Sequence, residues 1–410
     1  MECIQPGNGM TRIKRESDIR GIGNLTIDAI IGITDLIEAM HHNVAGLGGI
    51  LGGPNHNRTT GITGMVYRSI RAVSGLAGGG IDLLLKQLAS LLGEKHSSPA
   101  REGVLAALNG VLGDHLAARN NPLAIPMQFR RNGVPLAPGD QSFDEAVRQS
   151  HGKIALMVHG SCMNDLQWNR QNHDHGESLA RDLGYLPVYL RYNTGLHISQ
   201  NGREFARLIE ALIHELPQPI ELVIIAHSMG GLVSRSACHY GKVTGHSWLN
   251  HLLKIVFLGT PHHGAPLERA GNWIDVILEI SPYSAPFSRL GKVRSAGITD
   301  LRYGNILDED WKGRDRFECS GDHRSAVPLP EGPKCYTIAA TTRKEMSILG
   351  DQLMGDGLVP VKSALGRHKN AGLNLYFPKM HQWIARDMKH MDLLNQPKVY
   401  EIIKRWLESE

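Results

Sequence analysis

The stretch ELVIIAHSMGG, residues 221–231, decides how the rest of the chain is read. Its first half is a short continuous apolar run with β-branched residues, which reads as a buried strand. A helical pattern, GLVSRSACHYG, follows at 231–241. A strand, a sharp turn with serine at its tip and then a helix make a nucleophile elbow. The turn is tight and strained, so small residues must stand two before and two after the serine. Ala226 and Gly230 fill those positions, Ala226 in place of the usual first glycine. The Ser228 hydroxyl then meets the start of a helix, where developing negative charge is favoured. The five-residue pattern alone turns up by chance. With its strand and helix, it makes Ser228 the candidate nucleophile rather than a turn serine.

Working outward, further strands alternate with helices. KIALMVHG (153–160) and LPVYLRY (186–192) precede the elbow. LKIVFLGT (253–260), KCYTIAAT (334–341) and LNLYFP (373–378) follow it. Helical patterns fall near 175–183, 201–215, 230–240 and 396–408. Continuous apolar strands separated by helices predict an α/β fold whose mainly parallel sheet is covered on both faces. Chemistry in such sheets gathers at the carboxyl ends of the strands. Asn132-Gly133 in QFRRNGVPL (128–136) predicts a hairpin ahead of this region. Before about residue 122 the texture is helical, with apolar periodicity at 19–40, 61–93 and 99–119. In the last of these, Val104, Leu108, Val111 and Leu112 share a face. The expected organisation is an N-terminal helical region over 1–122 and an α/β domain over 123–410. The segment from about 265 to 333 is long for one connection and is expected to form a cap or lid.

Composition narrows the function classes. Of the 410 residues, 41% are hydrophobic and 20% charged, enough apolar content to bury a core. Lys plus Arg is 44 and Asp plus Glu 40, a formal charge of +4, which does not indicate a nucleic-acid binder. Five scattered cysteines without a CxxC pair argue against a disulfide framework and a zinc ribbon. The start, MECIQPGNGMTRIKRESDIR, lacks the apolar core of a signal peptide, and no run approaches a spanning helix. A soluble cytoplasmic protein is expected, with peripheral lipid contact through the N-terminal amphipathic helices.

The remaining parts of a serine site can be sought in the loops after strands. The backbone N–H of Met229, the residue after the nucleophile, should supply one oxyanion donor. The second should come from the loop after KIALMVHG, where Gly160 lets the backbone turn in and Ser161 is the donor. His159 and Gly160 are candidates to line the pocket, a reading favoured over a plain strand-ending turn. The acid should follow a late strand: Asp356, between Gly355 and Gly357, is favoured over Asp351 and over an Asx turn. The base should follow the last strand, where His381 and His390 are both candidates. His227 should point into the scaffold. His262 and His263, in LGTPHHGAP, stand at the same sheet edge, where packing competes with lining the pocket. His173, Asp174 and His175 could hold a metal, but a solvated loop explains them as well, and no metal or cofactor is expected.

Together VHG, AHSMGGL, LGTPHHG, GDGLVP and KHMDLL resemble bacterial lipases and esterases of the α/β-hydrolase superfamily. More closely, they resemble the GPI inositol-deacylase-like α/β-hydrolase domain family, over about residues 150–410. The resemblance implies a triad of Ser228, Asp356 and His390, oxyanion donors at Ser161 and Met229, carboxylic-ester or lipid-like substrates, and no cofactor. It also favours His390 over His381. Two other readings are an acyltransferase on the same scaffold and a non-catalytic membrane-surface or scaffolding protein built on the N-terminal helices.

Overall fold

Eight strands form one sheet in the order β2-β1-β4-β3-β5-β6-β7-β8. The computed structural model describes residues 99–136, 139–216, 219–265, 295–314, 321–344 and 355–409. The helical patterns expected at 19–40 and 61–93 lie outside them. The sheet begins with a hairpin of β1 (Gln128–Arg131) and β2 (Val134–Pro135). Its turn residues Asn132 and Gly133 have φ of 52° and 74°, matching the right-handed strand twist. β1 runs antiparallel to β4 (Leu186–Arg191). The rest is parallel: β4, β3 (Lys153–Val158), β5 (Glu221–His227), β6 (Leu252–Leu258), β7 (Lys334–Thr341) and β8 (Gln382–Arg386).

Helices cover both faces because successive side chains of a buried strand point to opposite sides. In β5, Leu222, Ile224 and Ala226 join one apolar cluster, while Val223 and Ile225 join the other. The first cluster is completed by α4 (Ile198–Glu215) and α5 (Met229–Thr244), the second by α3 (His175–Leu183) and α8 (Pro397–Glu408). Each fully buried Val, Leu or Ile contributes about 1.5–3 kcal/mol, so this double layer fixes the sheet's position firmly.

The pattern over 99–119 is helix α1, Pro99–Ala118. Proline opens it, where a missing N–H costs nothing. Its burial is not confined to one face: Leu105, Ala106 and Ala107 are as buried as Val104, Leu108, Val111 and Leu112. Gly110 explains how it fits, since a Cβ there would stand 2.2 Å from Cys162 Sγ. The Asn109 side chain donates to Leu123 O at 2.8 Å and accepts from Ile125 N at 2.9 Å. Buried Glu102 pairs with Arg130 of β1 at 3.2 Å and Arg191 of β4 at 2.9 Å, and Arg130 also reaches Asp165 at 3.1 Å. A cut at residue 122 would therefore run through this core.

Two expectations change. LNLYFP is not a strand: Ala371–Leu373 is a 3₁₀ turn, and Leu375 and Phe377 pack on the core without a ladder partner. The last strand is QWIAR, 382–386, beside β7. An alternating apolar run can cover a core without pairing, which periodicity alone does not reveal. Of the stretch expected as a cap, 266–294 and 315–320 lie outside the described residues. Residues 295–302 pack inward, with α6 (Ala296–Asp300) buried against α1 and Ser295 Oγ donating to Gly110 O at 2.6 Å, whereas 321–332 are half-buried or exposed. No described helix is long and apolar enough to cross a membrane.

Candidate active site

β5 ends at His227, and Ser228 takes φ 54°, ψ −123° before α5 begins at Met229. A non-glycine residue in such a conformation stores about 1–3 kcal/mol, which the surrounding structure must hold. It is held on both sides: Ser228 N donates to Leu258 O at 2.8 Å, and Gly231 N donates to Ser228 O at 3.0 Å. Gly230 admits the close turn, because a Cβ there would meet Val158 O at 2.5 Å. Ser228 is buried, and its Oγ has no hydrogen-bond partner among the described residues.

Asp356 and His390 come together at the same carboxyl edge. His390 Nδ1 is 2.7 Å from Asp356 Oδ2, and His390 N donates to Asp356 O at 3.1 Å. The other carboxylate oxygen accepts from Leu358 N at 2.9 Å and Val359 N at 2.8 Å. The Asx turn weighed against a catalytic role is thus present as well, and it aims Oδ2 at the imidazole. With Nδ1–H donating to the carboxylate, Nε2 carries the lone pair. That Nε2 is buried and unpartnered, as is Ser228 Oγ. The Ser228–His390 hydrogen bond expected of a closed triad is not made. The His390 ring lies against Gly259, one residue beyond Leu258, whose carbonyl holds the Ser228 amide.

His381 lies elsewhere. It precedes β8, its Nδ1 bonds Cys335 O at 3.1 Å, and its ring centroid is 4.2 Å from that of Tyr336. Cys335 is near the amino end of β7, so His381 sits at the edge of the sheet opposite Ser228. Asp351 lies outside the described residues.

The loop after β3 passes directly over the elbow. A Cβ on Gly160 would stand 3.1 Å from Ser228 Cβ and 3.0 Å from His227 Nδ1. In this loop the Cys162 amide is committed to Thr194 Oγ1 at 3.1 Å. The Ser161 and Met229 amides donate to no protein group among the described residues.

The profile of the PGAP1-like alpha/beta domain family matches residues 149–326. That span holds β3, the loop at Gly160, the elbow and β6, and it ends before Asp356 and His390. With the mostly parallel eight-stranded sheet, this match gives the chain an α/β-hydrolase fold. Among solved structures, the chain is similar to the Bacillus licheniformis lipase BlEst2 in mature form, at 17% identity and TM-score 0.39, covering 62% of this chain and 92% of that one. It is similar to Aspergillus fumigatus lipase B at 12% identity and TM-score 0.38, covering 62% of this chain and 51% of that one. The metagenomic carboxyl esterase MGS0156 aligns at 16% identity and TM-score 0.35, covering 79% of this chain and 98% of that one. A search of curated proteins finds no match.

Other histidines are built into the packing of the loops around the site. His227 is fully enclosed, and its Nε2 contacts His390 O at 3.4 Å, so the elbow supports the loop of the base directly. Burial pushes its pKa well below the usual imidazole value. His159 stacks on Tyr192 at 4.4 Å, and Tyr192 OH donates to His159 O at 2.9 Å. Burial lowers the His159 pKa to about 4. His262 packs between Phe257 and Phe377. His263 accepts from Arg324 Nη2 at 2.9 Å, and burial lowers its pKa to about 3. Asp174 caps α3 through Gly176 N at 2.7 Å, while His173 and His175 bond each other at 2.8 Å. Among the described residues no cluster of three or more His, Cys, Asp or Glu side chains could hold a metal ion. His175 Nε2 also bonds Leu393 O at 2.9 Å, fixing the 3₁₀ turn His390–Leu394 that carries the base. Sequence reasoning missed the bracing roles of His175, His227 and Thr194. Their partners are remote or unmarked by any motif.

Proposed function

We propose that this hydrolase cleaves carboxylic esters, lipid-like ones included, through an acyl-enzyme on Ser228. The observation that carries this reading is the pair of buried, unpartnered atoms, Ser228 Oγ and His390 Nε2, on a corner where Asp356 orients the imidazole. Ser228 attacks the ester carbonyl as His390 Nε2 takes its proton. Asp356 keeps Nδ1 protonated and stabilises the imidazolium that forms. The carbonyl oxygen becomes an oxyanion within reach of the Ser161 and Met229 amides. Each such donor is worth about 2.7–4 kcal/mol in the transition state. His390 returns the proton to the departing alcohol. Water, deprotonated by the same nitrogen, then releases the acid. An open Ser228–His390 contact is compatible with these roles, because catalytic bonds commonly tighten only with substrate present.

The test is covalent labelling by a fluorophosphonate probe. The wild type should be labelled and Ser228→Ala should not. Ester turnover should fall by roughly 10⁴- to 10⁶-fold in the folded variant. Near-wild-type turnover by Ser228→Ala would overturn the assignment.

A further inference from the structure

In residues 361–382, between the loop of the acid and the last strand, all the charged side chains other than histidine are basic. They are Lys362, Arg367, Lys369 and Lys379, with no Asp or Glu. The chain as a whole has a surplus of only four positive charges. Lys362, Arg367 and Lys369 line one cavity of about 570 Å³ with His368, Tyr376 and Phe377. The three cations are exposed, and none forms an ion pair among the described residues. Asp322 is held 3.3 Å from Arg324 and 3.6 Å from His368, which also lines the cavity.

Two apolar side chains of the same segment are exposed, Tyr376 at the cavity itself and Met380 further along the chain. Tyr376 is 79% exposed and Met380 78%, the two most exposed large hydrophobic residues described. Neighbouring Leu375 and Phe377 are buried in the core, so the segment is anchored while Tyr376 projects. Unpaired cations around a cavity attract a phosphate-bearing head group, and a projecting Tyr and Met suit the boundary between head groups and acyl chains.

We propose that this surface docks the protein on membranes rich in anionic phospholipid, with the cavity receiving the head-group phosphate. The site is separate from Ser228. It rests on the proposed ester hydrolysis only for its purpose, which is to bring the enzyme to lipid esters.

The experiment is vesicle co-sedimentation of the full chain. One set of vesicles is phosphatidylcholine alone; the other contains about one third phosphatidylglycerol. The protein should bind the anionic vesicles preferentially and release as salt rises. Each basic residue near such a surface changes partitioning about fivefold, so K362Q/R367Q/K369Q should bind about a hundredfold less. Y376S/M380S should weaken binding while leaving its salt dependence. Both variants should hydrolyse a short soluble ester like the wild type. Ser228→Ala should bind like the wild type, which separates failure of docking from failure of the catalytic reading. Equal binding to both vesicle types, or full binding by the triple variant, overturns the proposal. So does binding of glycerol phosphate at this cavity without vesicle binding.

Discussion

His390 is tied to Asp356 twice, once through its ring at 2.7 Å and once through its own backbone N–H at 3.1 Å. The second bond fixes where the base begins, and the first fixes how it is turned. Neither residue can shift without the other. A loop that carries a base benefits from this, since a ring misplaced by about 1 Å can cost a hundredfold in rate.

Asp356→Asn should separate these two roles. The backbone bond and the Asx turn survive, so the protein should fold with near-wild-type stability. The amide would present a donor or a weaker acceptor to Nδ1 and favour the wrong tautomer. Ester turnover should fall about 10⁴-fold while Ser228 stays in place. Turnover within about tenfold of wild type, measured in steady state on a short ester, would remove Asp356 from the proton path.

Gly160→Ala tests the loop above the elbow. The added methyl would stand 3.1 Å from Ser228 Cβ and 3.0 Å from His227 Nδ1, both in tightly packed positions. The loop must move by several tenths of an ångström, carrying the Ser161 amide with it. Activity should fall by about 10²-fold or more, the scale of one lost oxyanion donor. Stability should fall far less than turnover. A variant with wild-type kcat would show that this loop does not meet the oxyanion.

Much of this arrangement was legible in the chain because its signals are local. Ala226, Ser228 and Gly230 announce the elbow through steric need alone, and five of the expected strands occur in the structure. The last strand was misplaced because Leu375 and Phe377 alternate with exposed neighbours, as strand residues do, while pairing with nothing. That error placed His381 and His390 on the same side of the final strand. They are in fact separated by it, at opposite edges of the sheet. The braces at His175, His227 and Thr194 join residues distant in sequence, and nothing in their neighbourhoods encodes the partner.

The buried histidines predict a particular acid sensitivity. Burial lowers His159 and His175 to about 4 and His263 to about 3, against about 6.5 in the unfolded chain. Above about pH 6.5 neither state binds these protons, and stability is complete. As pH falls from there toward the folded values, the unfolded chain takes up protons that the native state refuses. Stability is therefore lost across that window, by roughly 3 kcal/mol for each of His159 and His175. Melting temperatures should fall steadily between about pH 6.5 and 4.5, before most carboxylates titrate. His175→Gln can still donate to Leu393 O and should give a shallower slope. A flat profile over this range would contradict the burial of these rings.

Where α1 belongs can be settled by truncation. A chain starting at 123 would lose α1, and with it Glu102, Asn109 and the apolar side chains from Val104 to Leu116. Arg191 would lose Glu102, its carboxylate partner, while Arg130 would keep only Asp165, and breaking a buried ion pair costs about 3–5 kcal/mol. The amide of Ile125 and the carbonyl of Leu123 would lose Asn109. Exposure of the core under α1 adds several kcal/mol more, at about 1.5–3 for each large apolar side chain newly facing water. Together these are comparable with the whole stability of a domain, about 5–15 kcal/mol. The protein starting at 123 should therefore be insoluble or unfolded. One starting near 97 should fold, retain the Asp356–His390 pair and hydrolyse a short ester. Circular dichroism melts and fluorophosphonate labelling of both proteins measure the difference. A cooperative, labelled protein starting at 123 would show that α1 is an attachment to the hydrolase core and not a part of it.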